Sequence, residues 1–145
     1  MNSETLLPMR SAVFGLILVI TAGCSGFGRP DESDKSHLIQ RVSERWRCLE
    51  RNDYECSYEY LSPEYRKVFS YEMYRSRYFA GLERVLTGVK VVAYDRDAAV
   101  ASVEVGVMSS PLKTSSASQV VTVTPVLLSE TWLWDKGNWW IHTDL

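Results

Sequence analysis

His142 and Asp144 stand two residues apart near the C-terminus of a 145-residue chain. On a strand both would share one face, and an imidazole beside a carboxylate can take up and return a proton. Glu130 is a second candidate, because Trp132, Trp134, Trp139 and Trp140 follow it within ten residues. A carboxyl enclosed by indoles has its charged form penalised and becomes a stronger base. Its alternative role is structural, as a rim residue or as the partner of an arginine such as Arg45, Arg47 or Arg66. Register separates the two candidates. A two- or four-residue turn at 135–138 sets Trp134 opposite Trp139, Trp132 opposite Ile141 and Glu130 opposite Thr143. One face then carries Glu130, Trp132, Trp134, Trp139 and Ile141, and the other Ser129, Thr131, Leu133, Trp140, His142 and Asp144. The more apolar face is the one expected to be buried. On this reading His142 and Asp144 form a solvated pair, and no catalytic residue is assigned. A gap in the ladder at Gly137 would reverse the faces.

Two uses follow for these aromatic residues. Trp46, Glu130, Trp132, Trp134, Trp139 and Ile141 either fill a core or line a pocket for a small apolar ligand. Trp140, with His142 and Asp144 beside it, is the candidate interface on the outer face, for an envelope partner or a homodimer.

The elements that must position these groups follow from periodicity. Leu38, Val42, Trp46 and Leu49 recur at spacings of four, four and three, which predicts a helix from Ser36 to about Arg51. Shorter helices are expected at 53–61, at 63–69 after the cap-and-proline pair Ser62-Pro63, and from Tyr71 to about Gly81. Beyond Gly81 the period becomes two. Strands are expected at 85–94, from Ala99 to Val107, at 119–134 with a bend at Pro125, and at 139–144. Helices first and hairpin-linked strands afterwards make an α+β domain, with N-terminal helices laid on a curved antiparallel sheet of about four strands. The chain is 46% hydrophobic and 12% aromatic with a formal charge of −2, enough apolar residues for one core. Its scattered basic residues argue against a nucleic-acid partner, and His37 and His142 do not match metal-ligand spacing. No cofactor is implied.

Residues 11–23 carry no charge and are too few to span a bilayer, which needs about 20. They suit the apolar centre of an export signal. Ile20-Thr21-Ala22-Gly23-Cys24 resembles the lipobox of bacterial lipoproteins, with Thr21 where leucine is usual. The resemblance implies a signal peptide at 1–23, cleavage before Cys24, and a diacylglycerol on its sulfur that anchors the protein to a membrane. Residues 24–35, polar and containing Gly and Pro, are expected to be the lipidated cysteine and a flexible tether. Met9 is a second candidate start, since Met-Arg-Ser-Ala leads directly into the apolar run. The compartment implied is the cell envelope, and with Ser25 after the cysteine it is the outer membrane facing the periplasm if the envelope is Gram-negative. With Cys24 acylated, Cys48 and Cys56 remain as a pair in an oxidising compartment. A disulfide needs their Cα atoms within about 7 Å, hence a turn between them, which Asn52-Asp53 offers. Two buried free thiols are the alternative.

The run WRCLERNDYECSYEYLSPEYRKVFS, the valine-rich strands and ETWLWDKGNWWIHTDL together resemble the NTF2-like (SnoaL-like, cystatin-like) superfamily over residues 36–145. The resemblance implies a cone between sheet and helices. It leaves two functions open: a non-catalytic binding or assembly module, or a small envelope enzyme of isomerase or hydratase type. Fold alone does not choose between them.

Overall fold

The stripe Leu38, Val42, Trp46 and Leu49 is buried along helix α1, Asp34–Glu50. The computed structural model describes residues 28–78, 82–111, 123 and 125–143; the expected export signal at 1–23, Cys24 and Asp144 lie outside them. Three short helices follow: α2 (Tyr54–Tyr58), α3 (Pro63–Val68) and α4 (Tyr71–Arg75). Four strands complete the chain: β1 (Leu82–Asp95), β2 (Val100–Pro111), β3 (Val126–Asp135) and β4 (Asn138–His142). They form one antiparallel sheet in the order β1-β2-β3-β4, so the domain is α+β. Among the described residues no helix is long and apolar enough to cross a membrane.

Local chemistry sets the joints. Asn52 takes a left-handed φ of 55° and ends α1, and the Asp53 carboxylate accepts the Cys56 N–H at 3.0 Å to start α2. The reversal brings the Cα atoms of Cys48 and Cys56 within 5.7 Å, and a disulfide joins them. Ser62 caps α3, accepting the Tyr65 N–H at 3.1 Å, with Pro63 in the first turn. Helix α4 stops at Arg75, short of the expected Gly81, because its last bonds tighten to the i−3 carbonyls of Tyr74 and Arg75. The β3–β4 turn is the two-residue pair Lys136-Gly137, both at positive φ (51° and 79°), which suits the twist of a hairpin.

Register follows from that turn. Trp134 pairs with Trp139 and Trp132 with Ile141, as the turn length predicts. Strand β1 carries two irregularities, at Thr87 and Val92, which bend it. It begins at Leu82, earlier than the expected Val85, and β3 is described over Val126–Asp135. Most of 119–124 lies outside the described residues. The helices cover one face of the sheet, where Ala101, Val103, Val105, Trp132, Trp139 and Ile141 meet the α1 stripe. The free edge of β4 is covered by the α2–α3 connection. Leu61 bridges Ile141 in parallel, and the Ile141 N–H donates to the Tyr60 carbonyl at 3.0 Å.

The stretch expected as free tether is in part docked. Pro30 is buried, its carbonyl accepting Arg96 Nε at 3.0 Å, and the Asp31 carbonyl accepts the Tyr94 hydroxyl at 2.6 Å. Arg29 pairs with Asp97 at 2.8 Å. Helix α1 itself starts at Asp34, two residues before the expected Ser36.

Candidate functional site

Glu130 comes from β3 at a position facing the helices, opposite Val103. Arg45 and Trp46 reach it from α1, and Trp132 from two residues along its own strand. One carboxylate oxygen accepts Arg45 Nη1 at 2.6 Å and Trp46 Nε1 at 2.9 Å, and the other accepts Trp132 Nε1 at 3.0 Å. The Arg45 and Glu130 side chains are 8% and 9% exposed. Isolated, either charge would be costly here; paired and charge-assisted, the two hold each other. Burial by itself would lower the Arg45 pKa. The Glu130 carboxylate, with the Tyr74 and Tyr78 hydroxyls, outweighs that and raises it above its ordinary value.

A line of hydroxyls continues from the guanidinium. Arg45 Nη2 donates to the Tyr78 hydroxyl at 3.4 Å, and Tyr78 donates to the Tyr74 hydroxyl at 2.9 Å. Ser57 Oγ lies 2.9 Å from Tyr74 and donates to the Tyr54 carbonyl at 3.0 Å. A hydroxyl has one proton, so with Ser57 committed to the carbonyl, Tyr74 donates to Ser57 and the line runs one way. Burial raises the Tyr78 pKa well above the usual tyrosine value, against the opposing pull of Arg45. Arg45 Nε is buried without a hydrogen-bond partner among the described residues; the Trp46 ring lies 5.7 Å from the guanidinium carbon.

The site residues expected from sequence now have places. Trp46, Glu130, Trp132, Trp139 and Ile141 are all buried within one cluster, and Trp134 packs on its edge, 5.2 Å from the Trp139 ring. The Trp139 indole donates to the Asp34 carbonyl at 3.0 Å. These side chains fill the space between α1 and the sheet. Trp140 and His142 lie on the opposite face. Trp140 is half-buried, donating to the Asp135 carbonyl at 3.2 Å with the Arg41 guanidinium 5.2 Å from its ring, and His142 is exposed. No spacing or motif in the sequence singles out the Tyr78–Tyr74–Ser57 line.

A surface groove of about 590 Å³ lies elsewhere, between Arg29 and the β1–β2 turn, lined also by Tyr94, Arg96 and Asp97. Within it Arg29 pairs with Asp97 and Arg96 donates to the Pro30 carbonyl, so it offers no concentrated charge to a ligand. No group of three or more potential metal ligands occurs among the described residues. No family model, curated protein or solved structure matches the chain.

Proposed function

We propose that the chain is a bacterial envelope lipoprotein of NTF2-like fold, anchored through acylated Cys24 and acting as a non-catalytic binding or assembly module. The single observation that carries the non-catalytic part is the engagement of Glu130. An enzyme working between sheet and helices would turn a base or acid toward its substrate. Here the best-placed carboxylate is already held by an arginine and two indoles, with fully buried tryptophans around it. The anchoring part rests on the apolar run and Ala22-Gly23-Cys24. Two acyl chains, at about 0.8 kcal/mol per buried methylene, hold a globular domain on a bilayer. Partner contact is assigned to the outer face, where Trp140 supplies half-exposed aromatic surface.

The test uses the full chain expressed in a Gram-negative host. Intact mass should show cleavage before Cys24 with added diacylglycerol, and Cys24→Ser should leave the membrane fraction. Cross-linking in the envelope should give partners that survive Glu130→Gln and are lost with Trp140→Ala. An unmodified leader, or partners that depend on Glu130 and ignore Trp140, would overturn the proposal.

A further inference from the structure

The docked segment at 29–33 fixes which end of the domain an N-terminal anchor can reach. From Cys24 to Gly28 there are four peptide steps, and a fully extended chain covers at most about 14 Å in that distance. From Arg29 onward the chain belongs to the fold: Arg29 pairs with Asp97, Arg96 Nε and the Tyr94 hydroxyl hold the Pro30 and Asp31 carbonyls, and α1 begins at Asp34. The Asp31 carboxylate also accepts the Ser33 N–H at 2.7 Å, which closes the turn into the helix.

That end contains both tight turns of the sheet. The β1–β2 turn lies there, the Trp134 N–H donates to the Ala99 carbonyl at 2.8 Å, and Trp139 reaches the Asp34 carbonyl. The opposite end is built from the start of β1, the finish of β2 and the start of β3. There Glu50 accepts the Leu86 N–H at 2.6 Å at the far end of α1. Strand β1 has 14 residues, and at about 3.3 Å per residue the two ends are roughly 40 Å apart along it.

We infer that the domain stands on its membrane by the β1–β2 turn, with the far end of the sheet, including exposed Val126, Leu127 and Leu128, directed away into the aqueous compartment. The inference rests on the acylation of Cys24 proposed above and adds the orientation. The surface it assigns to the bilayer is the 29–33 segment with residues 95–98. Charge does not draw this surface down. Around the segment Asp31, Glu32, Asp34, Asp95 and Asp97 outnumber the cations Arg29, Lys35 and Arg96. The short leash sets the orientation against the repulsion of an anionic bilayer, and salt, which screens that repulsion, does not weaken it.

The experiment places one fluorescent label at exposed Ala98 or at exposed Ser109, through Ala98→Cys and Ser109→Cys in the full lipidated chain. The protein is reconstituted in phosphatidylethanolamine–phosphatidylglycerol vesicles carrying an acceptor on their headgroups. Energy transfer from position 98 should exceed that from 109 several-fold, and no less at high salt than at low salt. Deleting the two ties to the Pro30 and Asp31 carbonyls with Tyr94→Phe and Arg96→Ala should shrink the difference, the Arg29–Asp97 pair being solvent-exposed and weak. Equal or reversed transfer on a chain whose mass shows acylation overturns the orientation alone. A ratio that the double variant leaves unchanged overturns the docked segment as its cause. A chain without acyl groups overturns both this inference and the proposed function.

Discussion

Arg45 on α1 and Glu130 on β3, 85 residues apart in sequence, meet at 2.6 Å where neither side chain is a tenth exposed. Removing one partner strands the other. Arg45→Met is expected to cost about 3–5 kcal/mol, because a buried carboxylate loses its counter-ion. Glu130→Gln added to it removes the stranded charge, and the single amide oxygen still accepts from one of the two indoles. The double variant should therefore be more stable than Arg45→Met alone. Urea midpoints of the two variants and the wild type measure this coupling.

Alkaline pH should weaken the fold through its tyrosines. Burial raises the pKa of Tyr78, and also those of Tyr58, Tyr60 and Tyr94, above the ordinary 10.0. Their neutral forms are favoured in the folded chain, so the unfolded chain releases protons first as pH climbs. The stabilisation is complete below pH 10 and is lost progressively above it. Tyr78→Phe should flatten that decline, read from denaturation midpoints at stepped pH. An unchanged slope counts against Tyr78 as its source.

The Cys48–Cys56 bond closes a loop of sequence separation 8. Loop-closure entropy for so short a ring gives about 2–3 kcal/mol. Cys48→Ser with Cys56→Ser should lower stability by that amount and leave the α1–α2 turn in place, since Asn52 and the Asp53 cap need no sulfur. Circular dichroism and urea unfolding, with and without reductant, separate these effects.

Gly106 lies opposite the first irregularity in β1. A Cβ there would stand 2.5 Å from the Thr87 hydroxyl oxygen. Gly106→Ala is expected to cost about 1 kcal/mol through crowding, and Thr87→Ala in the same chain should remove most of that cost. A thermal shift in Gly106→Ala that persists in the double variant would place the crowding elsewhere.

What was legible in the sequence was local or governed by register. The four-four-three spacing identified the buried side of α1, Asn52-Asp53 the reversal, and Lys136-Gly137 the pairing of Trp132 with Ile141. Arg45 stood among three arginines named as partners for Glu130, and only the crossing of α1 over β3 singles it out. Long-range polar contacts left no periodic trace. Tyr94 and Arg96 hold carbonyls 63 and 66 residues away, so residues 29–33 read as loose chain. Tyr74 and Tyr78 are four apart on a helix that ends between them, and their spacing alone does not show that their hydroxyls align toward Arg45.

The coverage of β4 by Tyr60 and Leu61 and the indole bond from Trp139 to Asp34 have a kinetic consequence. Both join the first half of the polypeptide to residues 80 to 105 positions later. Such distant contacts slow folding. During synthesis the interior stays unfinished until the β3–β4 hairpin has emerged to meet α1 and the α2–α3 connection.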